Sequence, residues 1–410
     1  MVQNKKHIII IGAGYAGMHA TRKLSRSLGE DMSITLIDKN EVHVRLAELH
    51  EVAGNRVEPR VVTTPIKKCV KHVEFLKGEV KKIDFQRREI STEADTLNYD
   101  YLILAVGSEP EFFNIPGMRE HSFPLWYLED AKRIKAQIEE MFVSAQKEPD
   151  AGKRRGLLTF VVGGGGLTGI EMVGELAEWV VALSRKYNIS RDQIDLIVVE
   201  ALADILPTLR PSLVEKSKRI LRSKGVTLMV NSPIMRVSPT EIELKSGEKI
   251  ITRTLIWTGG IRANHLIAGL GLKTGGRNRI EVNKYLQVID HPEVYAIGDC
   301  ALFITDDGTP LPQLAEAAIQ TAECAAHNIT AEIKGTRKKE YKPKIHGTVM
   351  SIGGKYAVAD IVLPLIGGVA FSGCLAMLLK HLLHIYYVVR DLGDIGLAFE
   401  YVRSRLFSKR

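Results

Sequence analysis

Apolar residues in this chain gather in short runs that end on glycine or on an acid. His7-Ile8-Ile9-Ile10-Ile11 opens the pattern and meets Gly12-Ala13-Gly14-Tyr15-Ala16-Gly17. A continuous apolar run of this length reads as a strand buried on both faces of a parallel sheet. A helix is predicted to about Leu28, then a second strand, Ser33-Ile34-Thr35-Leu36-Ile37-Asp38, ending on an acid. The same order returns at 158–200. The strand is Leu158-Thr159-Phe160-Val161-Val162 and the turn Gly163-Gly164-Gly165-Gly166-Leu167-Thr168-Gly169. A helix from Ile170 to about Ala182 follows, then Asp195-Leu196-Ile197-Val198-Val199-Glu200, again closed by an acid. Two copies roughly 150 residues apart predict two domains of similar fold, not a short tandem repeat.

Tyr101-Leu102-Ile103-Leu104-Ala105-Val106-Gly107-Ser108 is a further buried strand that stops at glycine, and Thr254-Leu255-Ile256-Trp257-Thr258-Gly259-Gly260 is its counterpart. Glu293-Val294-Tyr295-Ala296-Ile297-Gly298-Asp299 is a last strand in this style. The charged stretch Glu129–Ala151 reads as a linker helix. Residues 346–410 have fewer charges, long apolar runs and a basic end. Ile361 to Leu379 carries no charge over about 19 residues, close to the length of a membrane span. Pro364, Gly367, Gly368 and Gly373 interrupt it, so the prediction is a strand to about Leu365, a Gly turn, and a helix from about Ser372 through Val389. Lys380 and His381 lie on one side of that helix and Leu, Ile and Tyr on others, as in an interfacial helix. A second amphipathic piece is predicted over Leu397–Phe407, with Arg403, Arg405, Lys409 and Arg410 suited to anionic headgroups. Ordinary core or a homodimer contact is the alternative use of this surface.

Composition changes this picture little. The 410 residues are 45% hydrophobic and 25% charged, ordinary for a globular protein of two to three domains. The net charge of +8 suits nucleic acid, an anionic membrane or acidic substrates and does not choose among them alone. The basic C-terminal end turns the expectation to a membrane surface, with no nucleic acid. Cys69, Cys300, Cys324 and Cys374 stand at no CxxC or metal-ligand spacing, so neither a metal nor a structural disulfide is expected. The apolar run after Lys5-Lys6 is shorter than a signal-peptide core, and no leader is expected.

The glycine turns carry the chemistry. A pyrophosphate needs backbone N–H donors approached without Cβ atoms, and GxGxxG between a strand and a helix supplies both. Gly12 makes the tight turn, Gly14 lets phosphates approach, and Gly17 allows helix–strand packing. Asp38, about 21 residues after Gly17, is placed to accept ribose hydroxyls. In the second unit the corresponding glycines are Gly163, Gly165 or Gly166, and Gly169. Its acid, Glu200, lies about 31 residues after Gly169, longer than the usual spacing of roughly 20, and Ser184–Gln193 accounts for the excess as a longer helix or loop. An acid there favours the free 2′-hydroxyl of NAD over the 2′-phosphate of NADP. Two such folds imply electron transfer between one resident nucleotide and one that exchanges, and a flavin suits the resident role.

Asp38, the Ala105-Val106-Gly107 strand end and Tyr295-Ala296-Ile297-Gly298-Asp299 together resemble the pyridine-nucleotide-disulfide reductase superfamily over about residues 5–330. That resemblance implies an α/β chain with two Rossmann-like dinucleotide-binding domains. The first, discontinuous over 1–125 and 281–345, would hold FAD, with Asp299 toward its ribityl–pyrophosphate region; the second, 126–280, would bind NADH. Residues 346–410 would form a C-terminal membrane-anchoring and quinone-site region. The CxxxxC pair of the disulfide reductases is missing: its stretch is Arg45-Leu46-Ala47-Glu48-Leu49-His50-Glu51-Val52-Ala53-Gly54, where no dithiol relay can form.

The sequence resembles instead the type II NADH dehydrogenases, single-chain non-pumping NADH:quinone oxidoreductases. Glu48-Leu49-His50-Glu51 resembles the family's Thr-Glu-Leu-His segment, with Ala47 at the Thr position. Gly166-Leu167-Thr168-Gly169-Ile170-Glu171 resembles its second motif, which implies a place for Glu171 near nicotinamide and flavin. Ala315-Glu316-Ala317-Ala318-Ile319-Gln320 resembles its Ala-Gln-x-Ala-x-Gln quinone motif, with Glu316 in place of the first Gln. Lys380 resembles the family lysine near flavin and quinone. The implied flavin set also takes in Tyr15, Ala16, Ala13, Lys39, His50, Val80, Ala105, Gly107, Gly298, Ala315 and Glu316. The nicotinamide set takes in Thr168, Gly259 and Gly260. On the bare pattern, Glu171 also reads as a helix-end charge, and Glu316 with Gln320 as a surface pair four residues apart. The expectation is a peripheral protein on the cytoplasmic face of the cell membrane. Rival readings are a sulfide:quinone-type reductase, a ferredoxin-type reductase, and an apoptosis-inducing-factor-like binding protein.

Overall fold

A computed structural model of the protein describes residues 5–29, 32–363 and 367–406. The expectations for Pro364, Leu365, Phe407, Lys409 and Arg410 lie outside the described residues. Within them, two sheets, parallel but for the antiparallel edge strand Gln287–Val288 of the first, repeat one arrangement. In the first, the strand His7–Ile11 sits between Ser33–Asp38 and Tyr101–Leu104, with Glu74–Lys77 outside one neighbour and His291–Ala296 then Gln287–Val288 outside the other. Ile8, Ile9 and Ile10 are wholly buried, as a strand covered on both faces requires. In the second, Thr159–Gly163 sits between Asp195–Val199 and Thr254–Trp257, with Val226–Met229 and Phe123–Pro124 at the edges. Each central strand delivers its chain to a glycine turn at the sheet's carboxyl end, at the place where the strand order reverses and α/β folds bind ligands.

The helix Tyr15–Leu28 that leaves the first turn packs against Ala315–Ile333. Small residues meet there, among them Ala16 and Ala20 on one side and Ala318, Ala322 and Ala325 on the other. The helix leaving the second turn, Leu167–Tyr187, runs longer than its sequence pattern indicated. Glu129–Ala151 is not a linker. The helix Leu128–Lys147 buries Ala131, Ile134, Ile138, Met141, Phe142 and Ala145 against the second sheet's core. Its apolar stripe is one residue in three or four, and the dense charge on the remaining face hid it.

The C-terminal region also departs from expectation. Gly367–Gly373 is not a turn but the third strand of an antiparallel sheet with Gly347–Ser351 and Ala357–Leu363. Val369 and Phe371 pair with Ile361 and Ala359, so two side chains at period two define the strand despite its three glycines, Gly367, Gly368 and Gly373. The helix begins at Cys374 and its regular part ends at Tyr387. A π-turn, Val388–Leu392, follows and buries Val388 and Leu392 in the first unit's core before the helix Ile395–Leu406. No helix among the described residues is long and apolar enough to cross a membrane.

Candidate functional site

Both glycine turns are built the same way, residue for residue. Gly12 has φ +102° and donates its N–H to Ile37 O at 2.8 Å; Gly164 has φ +110° and donates to Val199 O at 2.8 Å. A Cβ on Gly12 would strike Ala105 O, and one on Gly164 would lie 2.8 Å from Gly259 Cα. Five residues on, a Cβ on Gly17 or Gly169 would strike the Gly12 or Gly164 carbonyl. The structure therefore places the tight turn of the second motif at Gly164, one residue beyond the expected Gly163. Gly163 is the last residue of the strand, packed on the Trp257 ring, and Gly166 corresponds to Gly14. The acids match too. Asp38 accepts from Ala13 N (2.7 Å) and Asn40 N (2.7 Å), and Glu200 from Gly165 N (2.6 Å) and Leu202 N (2.7 Å). The 31-residue spacing thus brings Glu200 to the same place as Asp38, because the helix runs to Tyr187 before turning back.

One cleft of about 1810 Å³ gathers most of the sequence-predicted residues. Gly12, Ala13, Gly14, Tyr15, Ala16, Asp38, Lys39, His50, Val80, Ala105, Gly107, Gly298, Asp299 and Ala315 line it, as do Glu316, Gln320, Thr168, Glu171 and Lys380. Gly17, Gly163, Gly165, Gly166, Gly169, Glu200, Gly259 and Gly260 do not; they form the second turn and the packing behind the first. The cleft fits a flavin dinucleotide on its own geometry. The helix Tyr15–Leu28 has neither a side-chain cap nor an acid in its first turn, so its N-terminal N–H groups face the cleft unspent. A Cβ at Gly14 would meet nothing within 4 Å, the open approach a pyrophosphate needs. Asp299 is held by Ser108 Oγ at 2.6 Å, and burial raises its carboxyl above the ordinary range. Gly12→Val is expected to abolish flavin retention, read as loss of the visible flavin absorbance in purified protein. Normal flavin content would remove Gly12 from the cradle.

Deeper in the cleft, three segments converge on one buried carboxylate, Glu171. Lys380 Nζ donates to Glu171 Oε1 at 2.5 Å and to Ser351 Oγ at 2.6 Å. Ser351 donates to Glu171 Oε1 from its backbone N at 3.0 Å and its hydroxyl at 3.1 Å. His50 closes the group, with Nδ1 3.7 Å from Glu171 Oε2 and Nε2 3.5 Å from Lys380 Nζ. Burial pushes Glu171 up, but Lys380, His50 and the Ser351 N–H outweigh it, and the carboxyl ends below its ordinary range. Burial pulls Lys380 down, and Glu171 and Glu51 more than restore it. His50 is lowered, chiefly by burial. The ground state is therefore an ion pair beside a neutral imidazole. Ser351 carried no sequence signal, because a lone serine in a strand acquires its role only through tertiary approach.

Glu316 and Gln320 line the same cleft, yet their polar atoms are already engaged. Gln320 exchanges two hydrogen bonds with the Lys344 backbone (2.6 and 3.0 Å), and Glu316 accepts from His346 Nδ1 at 2.5 Å. They anchor the approach to the strand that ends on Ser351. His43, buried and lowered to about 4 chiefly by burial, links Ala13 O (2.8 Å) to the Tyr387 hydroxyl (3.0 Å), tying the first turn to the C-terminal helix. The four cysteines are free thiols. Burial raises Cys69, Cys300 and Cys324 to about 11, which leaves those three without the thiolate that sulfide chemistry uses.

Residues 6–322 match the pyridine nucleotide-disulphide oxidoreductase family. The chain is 33% identical to a type II NADH:quinone oxidoreductase of Staphylococcus epidermidis, over 98% of this chain and 99% of that one. It is 31% identical to the Staphylococcus aureus protein of the same name, with the same coverage. Its fold is similar to that of NDH2 from Plasmodium falciparum in a complex with NADH, with a TM-score of 0.87 at 18% identity over 98% of both chains. A sulfide:quinone oxidoreductase from Aquifex aeolicus shares the fold with a TM-score of 0.78 at 18% identity. The doubled turns, the missing dithiol and full-length relatedness agree: this chain is an oxidoreductase using FAD and NADH, and it belongs to the type II NADH:quinone oxidoreductases.

Proposed function

We propose that the protein oxidises NADH and passes the electrons to a membrane quinone, working from the membrane surface. One observation carries the reading. A single cleft runs from the Gly12–Gly17 turn past the Glu171–Lys380 pair to Val362, Leu383 and Tyr386, beside exposed apolar helix faces. In this reading residues 1–125 and 281–345 hold FAD, 126–280 take NADH, and 346–410 meet quinone and membrane. The bound flavin supplies the exchange between a two-electron donor and a quinone.

The chain's own residues do the rest. Glu171 and Lys380 hold a proton at Nζ on the wall of the cleft, and a quinone acquiring electrons there needs protons from such a group. Ser351 and His50 fix the pair's orientation. Glu200 presents a carboxylate where a 2′-phosphate would sit, which favours NADH over NADPH. Glu200→Gln is expected to raise kcat/KM for NADPH at least several-fold relative to NADH, and an unchanged ratio would remove it from cofactor choice.

The membrane side is assigned to the last two helices. Leu375, Leu378 and Leu382 line one face of Cys374–Tyr387, and Ile395 and Phe399 one face of Ile395–Leu406. All five are more than half exposed, Ile395 at 75% and Phe399 at 71%. Apolar stripes at this spacing beside exposed Arg390 and Arg403 suit an interfacial helix on anionic lipid. We assign this surface to the cytoplasmic face of the cell membrane; a homodimer would bury the same stripes. Steady-state NADH oxidation tests the whole reading. Turnover with short-chain quinones but not with a ferredoxin supports it, and turnover with no quinone contradicts it.

A further inference from the structure

Glu171 is one of three carboxylates on one face of the helix Leu167–Tyr187. Glu175 and Glu178 follow at the next two turns, and all three reach out of the nucleotide-binding unit. Glu175, 1% exposed in its side chain, is gripped by Arg56, whose Nε lies 2.9 and 2.7 Å from its two oxygens. Arg56 Nη2 reaches Glu178 Oε2 at 2.6 Å, where Gly354 N also donates at 3.1 Å. Lys224 holds the other Glu178 oxygen at 2.8 Å. The backbones around this grip are as close as glycine permits. A Cβ on Gly54 would lie 2.6 Å from Glu175 Cβ, and one on Gly174 2.6 Å from Gly353 N.

Arg56 stands just beyond the short helix Leu49–Ala53 that carries His50, and its N–H donates to Glu51 O at 2.7 Å. Gly353 and Gly354 stand just beyond Ser351. The segments that meet at Glu171 therefore meet again at Arg56, one to two helical turns away. We propose that Arg56 is a positioning residue that sets the distance between the nucleotide-domain helix and the flavin-side segment, and so holds Glu171 against His50, Ser351 and Lys380. This rests on the reading of Glu171 given above. The task requires arginine. Its planar fork serves two carboxylates at once, whereas a lysine ammonium serves as a point charge. With lysine at 56 a single ammonium cannot keep both contacts, so the link between the Glu175 and Glu178 carboxylates is lost and the two segments are no longer held at one distance.

The test uses full-length, FAD-loaded protein carrying Arg56→Lys, Glu171→Gln and both. Arg155→Gln, which removes an exposed ion pair to Asp195, is the control expected to behave as wild type. Arg56→Lys is expected to retain flavin and to slow quinone-dependent flavin reoxidation about ten- to hundredfold, the scale of an ångström misplacement. In the Glu171→Gln background the same change should add little, because it acts through Glu171. Backbone hydrogen exchange should rise across 167–187 and 347–351 but not across 195–199. Equal slowing in both backgrounds, or no slowing with Glu171→Gln impaired, would overturn the proposal alone. A fully active Glu171→Gln would overturn the reading of Glu171 and this proposal with it. Should Arg56→Lys fail to fold, Glu178→Gln, which removes one of the two grips, is read by the same criteria.

Discussion

Lys380→Met is expected to destabilise the protein by about 3–5 kcal/mol and to cut quinone-dependent turnover by about a hundredfold or more. The first figure follows from burial. Glu171 and Lys380 are 12% and 13% exposed in their side chains, so removing the ammonium leaves a largely buried carboxylate without its cation, held only by Ser351 and the neutral His50. The pH dependence has a definite sign. Glu171 titrates below its ordinary value in the fold. Its contribution is fully present above about 4.3 and is lost as pH falls through the folded value. Lys380 titrates above its ordinary value. Its contribution is fully present below about 10.4 and is lost as pH rises through the folded value. In wild type the pair therefore stabilises the fold across the neutral range and fails at both extremes. In Lys380→Met, Glu171 loses the charge that most lowers its carboxyl, so stability should improve on mild acidification as the carboxyl protonates. Denaturant melts across pH check this; a variant whose stability only falls with acid would contradict the pairing.

The second large effect concerns the membrane. Leu378→Asp, Leu382→Asp and Phe399→Asp together are expected to lower the fraction bound to anionic vesicles by at least tenfold, each charge opposing interfacial burial. Flavin content and turnover with a water-soluble quinone should persist, because these side chains face outward. Deleting 372–410 would be a poorer test. That segment also supplies Lys380, the Tyr387 contact to His43, and the buried Val388 and Leu392, so loss of binding would be confounded with loss of core. If the triple variant still sediments with lipid, the membrane assignment fails. If it stays off lipid but the wild type is a dimer that the triple variant breaks, the stripes are a subunit contact.

What was legible in the sequence was local. Strand, glycine turn, helix and acid occupy one short window, so both nucleotide turns could be read directly, to within one residue at Gly164. Lys380 and Glu171 came from resemblance, since nothing local links residues so far apart. Ser351 and Arg56 went unnoticed for the same reason. Each is an ordinary residue in an ordinary strand or loop until the chain folds it onto Glu171 or Glu175. The helix Leu128–Lys147 reads as a linker in sequence because its charges outnumber its buried stripe. The strand Gly367–Gly373 reads as a turn because glycine announces a turn more strongly than Val369 and Phe371 announce a strand. The motif resemblance turns Glu316 toward a quinone; the folded side chain lines the cleft and also accepts from His346, a contact no local pattern announces.

If one cleft serves both NADH and a quinone at the membrane, the flavin within it must pass electrons from one to the other. Anaerobic double mixing tests it most directly. The purified protein is bleached with one equivalent of NADH, then mixed with short-chain quinones and, separately, with quinone-loaded anionic vesicles. Rapid return of the flavin absorbance is expected with quinone in both forms, and slower return from vesicles in the Leu378, Leu382 and Phe399 triple variant. A flavin that NADH bleaches and no quinone restores would contradict it.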